Sequence, residues 1–405
     1  MQRLRLLLLC LALLPGAGLA APRPAGPLVL VSIDGFRWDY LQKYDAPTLR
    51  RLAAGGVHAT RLSPSFPSKT FPNHYTIVTG LYPEHHGVVA NWFYDPADNA
   101  RFDMGKVEPR WWNGGEPVWV TAEKQGVRSA CFFWPGAEAE IRGVRPSLFR
   151  RFDKKLSVDD RVDGLLAWLA LPADQRPQFA TLYFDLVDTA GHDFGPLAPE
   201  TAAAVKTADD GIARLLAGLD RLGRGATTNL VIVSDHGMSE TGPDRVVYFD
   251  DLLDLSQVRI EANGPYGGLR PKPGVDVAAL VQAMRARAPA TAHVYRREEM
   301  PARLHYDTGD RIPPILILMD DHWSIVQRTT PPAPPPHIGK GNHGWDPATS
   351  NMGALFLASG PAFRHGVELP DVANVNLYNL LCAVLGLKPA PNDGDESLVR
   401  AALAQ

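Results

Sequence analysis

LVLVSIDG, residues 28–35, is an unbroken run of apolar and small residues that stops on Asp34 and Gly35. Two other runs share that shape. FATLYFDLVD (179–188) reaches Asp185 and Asp188, and NLVIVSDHG (229–237) reaches Asp235 and His236. Short apolar runs bounded by turn residues read as strands buried on both faces of a parallel sheet. Helical spacing lies between them, in PTLRRLAAGG (47–56), VDGLLAWLA (162–170) and TAAAVKTADDGIARLLAGLDRLG (201–223). Alternating strand and helix predicts an α/β fold, a doubly wound, mostly parallel sheet flanked by helices. Ligands collect beyond the carboxyl ends of such strands, where the three acidic ends would meet.

Residues from about 245 to 325 break the alternation and read as a smaller inserted lobe. It carries a helix over VDVAALVQAMRAR (275–287) and a strand pair in ILILMDDHWSIVQ (315–327) around Asp320 and Asp321. TTPPAPPPHIGKGNHGW (329–345) is a Pro- and Gly-rich loop that delivers His343. MGALFLASG (352–360) reads as a strand returning to the main sheet, and NLYNLLCAVLGL (376–387) as a closing helix.

The N-terminus reads as a secretory signal over residues 1–20. Arg3 and Arg5 precede an apolar run, Leu6 to Leu14, too short to span a bilayer, and Gly18 and Ala20 suit a cleavage site. Residues 21–405 would then form a single exported catalytic domain, periplasmic or secreted, with no transmembrane segment. A formal net charge of −3 offers no broad basic field for nucleic acid. Gly and Pro, 36 each, predict long shaped loops. Of the three cysteines, only Cys131 and Cys382 lie beyond the signal, so stability without cross-links is expected, one pairing left open. Oligomeric state is not legible.

Chemistry enters with FPSKTFPNHYTIVTGLYPEHHGVVAN (66–91). Thr70 sits in a turn bracketed by Pro67 and Pro72, ahead of a helix whose N-terminus would favour anions. That placement suits a phosphate-attacking hydroxyl. Asp34, Asp188, His192, Asp235, His236 and His343 are the candidate metal ligands. Three carboxylates with three imidazoles suit a pair of Zn²⁺ better than Mg²⁺ or Ca²⁺, which prefer oxygen alone. Asp188 and His192, four apart, share a helical face. Asp235 and His236 need a sharp turn, which Gly237 allows. Singly, each has a bland reading as a cap or a solvated loop residue; together they follow separate buried strands. His74 reads as core or supporting. His58, His85, His86, His293, His305, His322, His337 and His365 read as surface or supporting residues.

With SIDGFRWDYL (32–41), FFWPG (132–136), VDTAGHDFGP (187–196), VSDHGM (233–238), GNHGWD (341–346) and NLLCAVLGLKPAPNDG (379–394), the chain resembles the ectonucleotide pyrophosphatase/phosphodiesterases of the alkaline phosphatase superfamily, as a bacterial exported member. The motifs run in family order along nearly the whole chain beyond the signal. Residues 184–187, Phe-Asp-Leu-Val, depart from the acidic pair common there. The resemblance implies one zinc site of Asp34, Thr70, Asp235 and His236, and another of Asp188, His192 and His343. It implies Thr70 as nucleophile, Asn91 as donor to a phosphate oxygen, and Phe71 and Tyr183 flanking a nucleotide base. The reaction expected is hydrolysis of nucleotide phosphodiester and pyrophosphate bonds through a nucleotidyl-threonine. A choline-type phospholipid-headgroup phosphodiesterase and a phosphate monoesterase on the same metal core are the alternatives. Sulfatase chemistry is disfavoured because SFPSK (65–69) ends in Lys69 where an arginine is required. An inactive receptor is disfavoured because Thr70 and the ligands are all retained.

Overall fold

In the computed structural model, residues 26–328 and 338–404 are described. The expected signal and His337 lie outside them. The main sheet has eight strands in the order Val367–Leu369, Val57–Ala59, Phe356–Ser359, Asn229–Val233, Leu28–Ile33, Phe179–Phe184, Ser129–Phe132 and Leu148–Arg150. Phe356–Ser359 runs antiparallel to both neighbours, and every other pairing in the sheet is parallel. The returning strand expected over 352–360 is therefore present, against the common direction.

Both faces of the central strand are covered. Leu28 and Leu30 join one apolar core, while Val29, Val31 and Ile33 join the other. That explains why the sequence is continuously apolar rather than alternating. Val158–Leu169 starts on a Ser157 capping box with Asp160. It buries Val162, Leu165, Leu166 and Leu169 against the sheet. On the long helix Pro199–Arg221, buried Asp209 accepts from Thr48 N at 3.1 Å and Leu49 N at 2.7 Å. It thereby satisfies the open first turn of the helix Pro47–Gly55.

A second sheet, antiparallel and four-stranded, runs Val258–Ala262, Tyr266–Pro271, Ile315–Met319, Ala292–Arg296, with the helix Val277–Arg287 packed on it. The pairing expected within 315–327 is not formed. Ile315–Met319 pairs inside this sheet, whereas Ser324–Val326 pairs in parallel with Val246–Tyr248. Two adjacent strands joined by Asp320 and Asp321 resemble a hairpin locally, but each finds a better-matched apolar partner elsewhere. Cys131 and Cys382 are buried free thiols.

His86 departs from its expected surface or supporting place. It is fully buried, with its ring 5.0 Å from that of Tyr75. Its Nδ1 accepts from Val88 N at 3.1 Å, so Nε2 carries the proton toward Thr76 Oγ1, also at 3.1 Å. Burial pushes its pKa down to about 3. Below about pH 6.5 the unfolded chain takes up a proton that the folded one refuses, so stability falls as pH drops toward 3. Relative to wild type, His86→Gln should flatten the slope of unfolding free energy between pH 6 and 4 by about 1.4 kcal/mol per pH unit. Parallel slopes in denaturant titrations of the two proteins would refute this.

Candidate active site

The register of the three central strands brings their acidic ends together. Ile33 is opposite Phe184, and Ser32 is opposite Val233, so Asp34 and Asp235 emerge side by side. Asp188 comes from the helix Leu186–Phe194, directly after the third strand, with His192 one turn on. The approach is close. A Cβ on Gly35, whose φ is +69°, would lie 2.8 Å from the Asp188 Cα. One on Gly237, after the Asp235–His236 turn, would lie 2.1 Å from Asn351 O. Both positions require glycine.

Thr70 is the first residue of the buried helix Thr70–Thr79, not a residue of the turn before it. Pro72 lies within the first helical turn, where its missing N–H costs nothing. The helix N-terminus therefore faces the carboxylate cluster, with Thr70 Oγ1 3.3 Å from His236 Nε2. Asn91 is held by its side-chain oxygen, which accepts from Phe71 N at 2.9 Å. That leaves its amide –NH₂ free to donate.

The imidazoles are oriented alike. His192 Nδ1 meets Gly341 O at 2.9 Å, His236 Nδ1 meets Gly237 O at 2.9 Å, and His343 Nδ1 meets Ser68 O at 2.8 Å. Each carbonyl fixes the proton on Nδ1 and leaves Nε2 as a lone-pair donor. Those Nε2 atoms converge on carboxylate oxygens that have no hydrogen-bond donor: Asp34 Oδ1, Asp188 Oδ1 and Asp235 Oδ2. His192 and His343 Nε2 lie 3.4 and 3.6 Å from Asp188 Oδ1. His236 Nε2 lies 3.5 Å from Asp34 Oδ1 and 2.9 Å from Asp235 Oδ2. Asp188, His192 and His343 form one cluster able to hold a cation, and Asp34, Asp188 and His236 interlock beside it. His74 also lies within ligand distance of Asp34 and Asp235. Its nitrogens are spent, however, on Thr70 O at 2.9 Å and Ser32 Oγ at 2.8 Å. It braces the first helical turn under Thr70.

The electrostatics match a cation-binding cluster. Burial, then Asp235 and Asp188, push the Asp34 pKa well above the carboxylate range. Burial opposes but does not prevent the lowering of Asp235, driven by His236 and His74. Burial, with His236, Lys69 and His192, keeps His343 neutral. Crowded carboxylates of this kind are relieved by a bound divalent cation.

Some features of the site are not visible in the sequence. Tyr183 donates its hydroxyl to Asp34 Oδ2 at 2.5 Å, a role that a residue inside an apolar strand does not advertise. Lys69 lines the cavity and gives Nζ to Asn342 Oδ1 at 3.1 Å, tying the residue before Thr70 to the loop of His343. Burial brings its pKa down to about 8. Asp185, within the departing 184–187 segment, pairs with buried Arg161 at 2.7 Å. Arg161 also bonds Tyr183 O at 3.1 Å, fixing the strand end.

Asp34, Lys69, Thr70, Asn91, Tyr183, Asp188, His192 and His343 open into one cavity of about 980 Å³ between the main sheet and the second sheet, lined also by Phe71, Trp112, Trp134 and Phe152, with Asp235 and His236 buried behind it. Phe71 packs on Phe102 and Trp112, each at 6.1 Å.

A mostly parallel α/β sheet with acidic strand ends gathered under a helix-borne threonine defines an alkaline-phosphatase-like fold. Residues 28–346 match the family described as type I phosphodiesterase / nucleotide pyrophosphatase, and the chain belongs to that family. The human ectonucleotide pyrophosphatase/phosphodiesterase family member 1 is 38% identical over 92% of this chain and 41% of its own length. An uncharacterized pyrophosphatase/phosphodiesterase of Schizosaccharomyces pombe is 39% identical over 91% of this chain and 78% of its own. The structure of murine ectonucleotide pyrophosphatase/phosphodiesterase 5, an inactive threonine-to-alanine variant in complex with AMP, superposes with a TM-score of 0.88. It is 34% identical and covered completely, over 94% of this chain. The chain thus spans about two fifths of the human relative's length. These relatives are eukaryotic and do not bear out the bacterial origin expected above.

Proposed function

We propose that this chain is an exported two-zinc phosphodiesterase that hydrolyses nucleotide phosphodiester and pyrophosphate bonds through a covalent intermediate on Thr70. The observation that carries the reading is the set of donor-less carboxylate oxygens facing three imidazoles pinned through Nδ1. Mixed N and O donors suit zinc, and ligands about 2.0–2.1 Å from a tetrahedral ion lie about 3.3–3.4 Å apart. The carboxylate–imidazole separations, from 2.9 to 3.6 Å, bracket that value. One ion would be held by Asp34, Thr70, Asp235 and His236, the other by Asp188, His192 and His343. When bound, paired zinc ions lower the pKa of a coordinated hydroxyl and offset charge on attacking and leaving oxygens.

The chain's own residues supply the rest. Thr70 Oγ1 attacks phosphorus in line with the leaving oxygen, forming the Thr70–phosphorus ester as that bond breaks. Water then cleaves the ester from the opposite side, so configuration at phosphorus is retained. The Asn91 amide donates to a non-bridging oxygen as charge develops. Tyr183 and the backbone carbonyls hold the ligands in orientation. Phe71 and the ring of Tyr183 line the cavity where a base would stack. AMP in the murine neighbour and the phosphodiesterase names of the relatives support a nucleotide substrate. The N-terminal signal pattern and the "ecto-" and venom names among the relatives support export. No helix among the described residues is long and apolar enough to cross a membrane.

A turnover panel with zinc supplied tests the reading: a nucleotide diester, ATP, a phosphate monoester and a phosphocholine lipid. The nucleotide diester and ATP should be the good substrates; preference for either of the others would reject it. Phe71→Ala should raise KM for a nucleotide diester about 10-fold while sparing an aryl phosphate diester without a base. Tyr183→Phe keeps the ring and loses the bond to Asp34. It should instead lower zinc affinity or turnover by about 10–100-fold for both substrates alike. An equal loss on both substrates in Phe71→Ala would mean that the Phe71 ring does not contact the base.

A further inference from the structure

Asn91 lies on an irregular segment, residues 87–92, between the short helix Pro83–His86 and the strand Phe93–Asp95. No helix or sheet ladder fixes the course of that segment, yet an amide donor is useful only when it is aimed. The restraint comes from the second sheet. Its strands Ala292–Arg296 and Ile315–Met319 are antiparallel neighbours, which a short turn could join. Residues 297–314 join them instead by a long excursion that reaches the Asn91 segment.

The contacts fall on both sides of Asn91. Tyr306 is fully buried and donates its hydroxyl to Val89 O at 2.9 Å, just ahead of Asn91. Arg311 donates Nη1 to Gly87 O at 2.9 Å and Nε to Asp95 Oδ2, beyond Asn91, also at 2.9 Å. The excursion is itself pinned, since Glu84 Oε2 accepts from Asp307 N at 3.0 Å and Thr308 N at 3.1 Å. Tyr306 also meets the turn ahead of Thr70. Its ring packs edge-on against Phe66 at 5.0 Å, and Tyr266 of the second sheet packs on the same ring at 5.5 Å. The helix that Thr70 opens is tied to Asn91 through Phe71 N. One buried tyrosine therefore bridges the two segments whose spacing sets where the Thr70 hydroxyl and the Asn91 amide meet.

We propose that residues 297–314 brace the active site from the second sheet, with Tyr306 as a positioning residue that acts through Asn91. Its hydroxyl holds the 87–92 segment so that the Asn91 amide faces the phosphate oxygen as Thr70 attacks. The inference rests on the role proposed above for Asn91. Tyr306 does not line the catalytic cavity, so its effect is exerted on the backbone and not on the substrate. Without the hydroxyl, Val89 O is left as an unpaired acceptor and the segment shifts to satisfy it. A displacement of about 1 Å is enough to weaken a transition-state contact strongly.

The test is a double-mutant cycle on zinc-loaded protein with adenosine 5′-monophosphate p-nitrophenyl ester. Asn91→Ala should lower kcat about 10²–10³-fold. Tyr306→Phe, which keeps the ring on Phe66, should lower kcat about 10-fold, with KM within about two-fold and zinc content unchanged. Placed on Asn91→Ala, Tyr306→Phe should cost no more than about two-fold further, because the amide it aims is gone. Arg311→Lys keeps the charge and loses the forked grip on Gly87 and Asp95, and it should repeat this pattern even if Tyr306→Phe fails to fold. Equal losses with and without Asn91, a loss confined to KM or to zinc content, or wild-type kcat in both Tyr306→Phe and Arg311→Lys would overturn the inference and leave the donor role of Asn91 standing. Wild-type kcat in Asn91→Ala would remove that donor role and the inference together. No turnover of the ester by wild type would sink the diesterase reading and, with it, the brace.

Discussion

Thr70→Ala should fold, bind zinc and lose at least about 10³-fold in kcat/KM on nucleotide diesters, because the group proposed to form the covalent ester is gone. Folding should survive for a local reason. Alanine is a stronger helix former than threonine at the start of Thr70–Thr79, and the brace from His74 reaches the Thr70 carbonyl rather than its hydroxyl. What disappears with the hydroxyl is its 3.3 Å approach to His236. Circular dichroism and metal analysis would establish that the variant is native. Rapid quenching of wild type with a labelled diester should place the label on Thr70. Label on a different side chain, or more than a few per cent of wild-type turnover in the variant, would refute the assignment.

The second large effect concerns the metals. Wild type should hold two zinc ions per chain, and a chelator should abolish activity that added zinc restores. Asp188→Asn and His343→Ala should each leave about one ion and cut turnover by about 10²–10⁴-fold, since paired ions act as a unit. Asp188 is the sharper probe. Asparagine preserves its size but removes the charge facing both His192 and His343. Zinc should also raise the melting temperature, because the ions bind only the folded cluster; zinc at about 1,000 times its Kd adds about 4 kcal/mol. Full activity at one zinc per chain would end the two-ion reading.

Much of the sheet is legible in the sequence because burial on both faces writes itself as continuous apolar sequence. Leu28–Ile33, Phe179–Phe184 and Asn229–Val233 need no partner to be recognised, and the helices between them show their apolar stripes. The hairpin reading of 315–327 fails because strand pairing is chosen by long-range partners, which local apolarity does not name. His86 is misread because a histidine between a histidine and a glycine looks exposed until the helix above it closes over the ring.

The candidate site divides the same way. Asp34, Asp188, His192, Asp235, His236, His343 and Thr70 are identifiable in the sequence, since each chemistry-bearing side chain follows a recognisable strand end or turn. What tertiary structure alone decides is how those groups are held. Register sets Asp34 beside Asp235, carbonyls of Ser68 and Gly341 aim His343 and His192, and the Tyr183 hydroxyl reaches Asp34, whereas the carbonyl that aims His236 is that of adjacent Gly237. Backbone carbonyls exist at every position, so their use as orienting acceptors leaves no mark on residue type. The chain's own letters specify which donors and acceptors exist; only the packing of segments far apart in sequence determines which of the distant ones meet, because hydrogen bonds act over about 3 Å and these partners lie 149 to 275 residues apart.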